Sequence, residues 1–163
     1  MRKAFTLLEL TIVLAVISLL LTVMLPNMVK SSLSTEESFK NTAAAFFQSL
    51  FLPGERIEVC VDFKNNRVGN NDGGFSFPPG YSIESLVFPG RLVSSEVTSR
   101  FCFDTDRPVP VLIVSSKRDS YFAVLSYLPV GEPRFYDLTE GEVSTLKDKV
   151  LKGRVEEWFS YYY

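Results

Sequence analysis

The sequence predicts an α+β fold: a long N-terminal helix, transmembrane in its first half and amphipathic in its second, packed on an antiparallel β-sheet domain. Three observations predict it. From Phe5 to Leu25 the chain is almost wholly apolar and carries one charged group, Glu9, and a helix of that length covers roughly 30 Å, the thickness of a bilayer core. From Val29 to Leu50 apolar residues return at near-helical spacing. From Arg56 onward the period changes to two, the spacing of strands.

The first helix is placed at residues 5–26. Arg2 and Lys3 precede it and Lys30 follows; the positive-inside rule then puts the N-terminus in the cytoplasm and the remainder outside. An acid within such a helix costs about 3 kcal/mol at the bilayer centre, less near the interface, so Glu9 calls for a partner. Pro26 has no backbone N–H and predicts a kink or break. The second helix is placed at residues 27–53. Val29, Leu33, Phe39, Ala43, Phe46, Phe47 and Leu50 form its buried stripe. Ser34 and Glu37 are spaced to cap a restart, and Pro53-Gly54 ends it.

Residues 54–163 form the β domain and its tail. Ile57, Val59, Val61 and Phe63 lie on one face of a strand, with Arg56, Glu58, Cys60 and Asp62 on the other. Asn65 to Gly74 reads as a loop by composition. Phe75–Phe77, Tyr81–Phe88 and Arg91–Val93 read as short strands broken by Pro78-Pro79-Gly80 and Pro89-Gly90. Arg100–Asp104 alternates, with Phe101 and Phe103 inward. Val109–Val114 and Tyr121–Leu128 are apolar on both faces and read as central strands joined by the polar turn Ser115–Ser120. Together these strands predict one antiparallel sheet with a helix against one side. Cys60 and Cys102 both fall on polar faces. If their strands are neighbours they can form a disulfide in an oxidising compartment; otherwise they are two separate thiols.

The C-terminus has two readings. In the favoured one, residues 134–138 and 142–146 pair as a hairpin, followed by a helix from about Lys147. In the other, Thr139 and Glu142 form a capping box opening a helix whose stripe is Val143, Leu146, Val150, Val155, Trp158 and Phe159. The aromatic tail Trp158–Tyr163 either docks on the domain or meets another subunit.

Composition excludes several function classes. There are no histidines, so the commonest metal ligand and general base are missing. Two cysteines are too few for a four-ligand zinc site. A formal net charge of −2 argues against a nucleic-acid surface. Asp104 and Asp106 read as turn residues. The Asn65–Asp72 loop lacks the acid spacing of a calcium loop. Lys147, Lys149, Lys152 and Arg154 are diluted by Asp148, Glu156 and Glu157 and read as a solvated face. No catalytic residue, metal, cofactor or nucleic-acid partner is predicted, and the chain does not read as an enzyme.

Ala4, the run Phe5-Thr6-Leu7-Leu8-Glu9-Leu10, the apolar stretch and Pro26 closely resemble the N-terminus of type IV prepilins and type II secretion pseudopilins. Residues 1–4 are then a leader, although the family usually has glycine where Ala4 stands. The resemblance implies cleavage between Ala4 and Phe5 by a prepilin peptidase, N-methylation of Phe5, and pairing of Glu9 with a neighbouring subunit's amine during filament assembly. Downstream, "RIEVCVDF", "FPPGYSI" and "RFCFDTD" loosely resemble the H-type minor pseudopilins and related minor pilins. That implies a structural subunit of a secretion pseudopilus or type IV pilus, or a minor pilin that binds DNA or an exported client. Implied partners are other pilin or pseudopilin subunits and an inner-membrane assembly platform. The implied location is the bacterial inner membrane, single-pass with the C-terminal domain in the periplasm, and then the filament.

Overall fold

The computed structural model describes residues 7–50, 56–105, 109–118, 120–128 and 132–155, the side chains of 8, 21–34 and 105 excepted. Two helices and nine strands follow in order: α1 (Leu7–Ser49), β1 (Ile57–Asp62), β2 (Arg67–Gly69), β3 (Gly74–Ser76), β4 (Ser82–Phe88), β5 (Arg91–Ser94), β6 (Arg100–Thr105), β7 (Val109–Lys117), β8 (Ser120–Leu128), β9 (Arg134–Leu138) and α2 (Glu140–Leu151). The chain divides into two compact units, Met1–Ser38 and Phe39–Tyr163.

The fold class differs from the expectation. The protein is mostly β, with two antiparallel sheets in the order β3-β2-β1-β6 and β5-β4-β7-β8-β9, in place of one sheet beneath a helix with a transmembrane half. Among the described residues, no helix is long and apolar enough to cross a membrane. This overturns the transmembrane half expected at residues 5–26. The single-pass inner-membrane placement and the membrane-helix pilin architecture that went with it are overturned too. Helix α1 continues through Pro26.

The two sheets arise from two kinds of strand. In β1, inward residues alternate with outward ones: Val59 and Val61 are fully buried while Glu58 is exposed. Strands β4, β7 and β8 are apolar on both sides because both faces of their sheet are covered. Val111 and Ile113 enter one core; Leu112 and Val114 enter the other. The first core joins one face of this sheet to Val59, Val61 and Val68 of the smaller sheet and to Phe39, Ala43, Phe46, Phe47 and Leu50. The second packs Val143, Leu146 and Val150 of α2 on the opposite face. A register shift between Ile83 and Ser85 adds one residue to β4. Ile83 and Leu86 therefore share the first core despite their odd spacing.

Two local expectations are corrected. Residues 65–74 hold β2 and the start of β3 rather than an open loop. Asn70 Oδ1 accepts the N–H groups of Asp72 at 3.0 Å and Gly73 at 2.8 Å, closing a tight turn. Asn66, at φ 51°, tolerates the left-handed region; its Oδ1 accepts the N–H of Ile83 at 2.8 Å and its carbonyl that of Phe77 at 2.8 Å. At the C-terminus the expected hairpin partner at 142–146 is helical. Thr139 caps α2, and Val143, Leu146 and Val150 form its buried stripe. The capping box and the 3.6-residue period outweigh the turn signal of Gly141.

Candidate functional site

Two surfaces bear chemistry. The first is the start of α1. Leu7 is 81% exposed, Leu19 68%, and Leu10, Ile12, Val13, Leu14, Val16, Ile17 and Leu20 lie between 46% and 56%. Successive helical residues are turned by about 100°, so these positions encircle the helix rather than forming a stripe. Glu9 sits exposed in the first turn, where a carboxylate is favoured by the positive end of the helix dipole. Ala4 and Phe5 lie outside the described residues, as do Pro53, Gly54, Asp106 and the tail Trp158–Tyr163.

The second surface is the outer face of the smaller sheet. Strands β1 and β6 pair antiparallel with Cys60 opposite Cys102, Glu58 opposite Asp104 and Asp62 opposite Arg100. Cys60 and Cys102 are joined by a disulfide, half-buried at Cys60 and exposed at Cys102. A cleft of about 200 Å³ runs beside it, lined by Glu58, Cys60, Asp62, Arg67 and Arg100 among others. The Asn65 side-chain amide, at 2.7 Å, and its backbone N–H, at 2.9 Å, bind the Asp62 carboxylate and hold its pKa below the ordinary aspartate value. A neighbouring cleft of about 400 Å³ is lined by Arg56, Glu58, Asn70, Asn71 and Asp72 among others.

Among the described residues, neither surface places a nucleophile beside a base. Asp104 points outward, opposite Glu58. The basic residues near the C-terminus are dispersed: Lys152 is paired with Asp148 at 2.7 Å, and Lys147 and Lys149 are half-buried. Sequence reasoning missed the facing carboxylates Glu58 and Asp104. Their types were visible, but the pairing of strands so distant in sequence was not. It also missed Arg91, whose guanidinium lies 4.7 Å from the centre of the Phe101 ring, because that contact joins β5 to β6.

No protein-family model, no curated protein and no solved structure matches the chain.

Proposed function

We propose that the chain is a structural subunit of a pilus-like filament, a minor pilin or pseudopilin. A prepilin peptidase cuts it between Ala4 and Phe5 and methylates the new amine. The start of α1 then packs among the helices of neighbouring subunits, and Glu9 pairs with a neighbour's amine. The observation that carries this reading is the exposure of apolar side chains all round α1 from Leu7 to Leu20. Each half-exposed Leu, Ile or Val forgoes roughly 1 kcal/mol of burial. A two-helix contact covers one stripe, whereas a helix apolar on every side is covered only by several neighbours. Within such a bundle Glu9 loses its water, and a cationic partner offsets that cost.

The test is the mass of the N-terminal peptide from the native host, together with recovery of the chain in sheared filaments. The expected peptide begins at Phe5 and carries one methyl group. Glu9→Ala is expected to leave cleavage intact and to reduce recovery in filaments. A chain that retains Met1 to Ala4, or equal recovery of Glu9→Ala in cells lacking the wild type, overturns the reading.

A further inference from the structure

The outer face of β1 and β6 carries a two-by-two array. Glu58 stands opposite Asp104, and in the next outward row Cys60 stands opposite Cys102. Like charges directly opposite one another destabilise a strand pair unless a cation lies between or beside them. The row beyond has the opposite arrangement, Asp62 facing Arg100. A carboxylate oxygen of Glu58 and the two Sγ atoms all lie within 4.8 Å of one another. While the sulfurs are bonded to each other they carry no charge and ligate nothing.

We propose that reduction of the Cys60–Cys102 disulfide converts this face into a three-ligand site for a divalent cation of the zinc class. Its ligands are the two thiolates and the Glu58 carboxylate, with the fourth position open to water. The change is balanced. Two electrons and two protons from a dithiol cleave the S–S bond, giving two thiols and the oxidised dithiol. The ion then displaces both thiol protons.

Four features favour it. Thiolate ligands select zinc-like ions over calcium and magnesium. A tetrahedral ion with sulfur at about 2.3 Å needs the two Sγ atoms roughly 3.8 Å apart. That separation requires movement only of side chains on an open face, one of them on β6, an edge strand of its sheet. Arg67 and Arg100 share the adjoining cleft and favour thiolate over thiol. Asp104, opposite Glu58, adds negative charge to the same face. The bridged and metal-bound states exclude each other, so the site answers to redox state.

The test uses the full chain, half of it kept bridged and half reduced with a phosphine that is then removed; circular dichroism follows the sheets in both. Each is titrated with Co²⁺, which gives a near-ultraviolet thiolate-to-cobalt band, and then with Zn²⁺. The expected result is about one equivalent of Co²⁺ bound by the reduced chain, displaced by Zn²⁺, and no band from the bridged chain. Cys102→Ser is expected to abolish the band. Glu58→Gln is expected to weaken binding by more than about tenfold, since even outer-shell partners are worth that much. A reduced chain that keeps its sheets but shows no band, a reduced chain that loses its sheets, or equal binding by the bridged chain overturns the proposal.

Discussion

The carboxylate of Glu142 accepts two hydrogen bonds from Thr139, one from the backbone N–H and one from the hydroxyl, each 2.8 Å long. The backbone bond, then the hydroxyl, lowers the Glu142 pKa below the ordinary glutamate value. The sign of the pH effect follows. A carboxyl whose folded pKa is depressed contributes its stability above the unfolded value, about 4.3, and loses it as pH falls through the lower folded value. Thermal unfolding of the wild type and Glu142→Gln should therefore differ at pH 7 and converge as pH falls below the ordinary glutamate range. A gap of the same size at every pH would show that the charge is not involved.

The β2–β3 turn predicts a contrast between neighbouring glycines. A Cβ on Gly74 would lie 2.4 Å from the Val68 carbonyl oxygen and 2.7 Å from the Gly69 Cα, both rigid backbone atoms. A Cβ on Gly73 would meet nothing within 4 Å. Gly74→Ala is expected to cost roughly 1–3 kcal/mol, as overpacking does. Gly73→Ala should change stability by less than about 0.5 kcal/mol. Urea denaturation of both variants checks the pair.

The disulfide closes a loop with a sequence separation of 42, and cross-links of that span stabilise by about 3–4 kcal/mol through the unfolded chain. Its outward position means that removing it opens no core cavity. Cys60→Ser combined with Cys102→Ser should lower the unfolding free energy extrapolated from urea denaturation by that amount while leaving the circular dichroism spectrum of the folded chain unchanged. A spectrum that loses strand signal would show instead that β6 depends on the bridge for its pairing with β1.

Phe39 is 6% exposed, and four other rings lie with centroids 5.0–6.1 Å from its own: Phe75, Phe77, Phe122 and Phe135. It thus ties the end of α1 to both sheets. Phe39→Ala is expected to cost about 3–5 kcal/mol, read as a fall in melting temperature. Phe39→Leu should recover part of it. Equal losses in both variants would place the effect in ring contacts rather than in volume.

How much of this was legible depended on how local the signal was. The unbroken apolar runs of β7 and β8 announced strands covered on both faces, and both lie at the centre of their sheet. The outward cysteines were legible from alternation, but their adjacency was not, because strand pairing is decided by which segments share a core. The division into two sheets was hidden for the same reason. Strand β2 was hidden because only Val68 of its three residues is buried, leaving a polar composition that reads as loop. Helix α2 was written in two competing codes, a capping box and a turn glycine. The box prevailed because Val143, Leu146 and Val150 then reach a ready apolar face. The membrane reading rested on total apolarity, which does not distinguish lipid from neighbouring helices as the cover.

That last ambiguity yields the sharpest test of the filament reading. Leu10 and Ile12 are 56% and 55% exposed and, two residues apart, project from near-opposite sides of α1. If several neighbours surround the helix, both positions become buried, and a lysine at either must lose its water. Leu10→Lys and Ile12→Lys should each reduce recovery in sheared filaments by at least about tenfold, the equivalent of 1.4 kcal/mol. Leu92→Lys, at a position 47% exposed on β5, serves as the control and should incorporate normally. Impairment by only one of the two helix variants would mean a single contact stripe, hence a pairwise complex rather than a filament core.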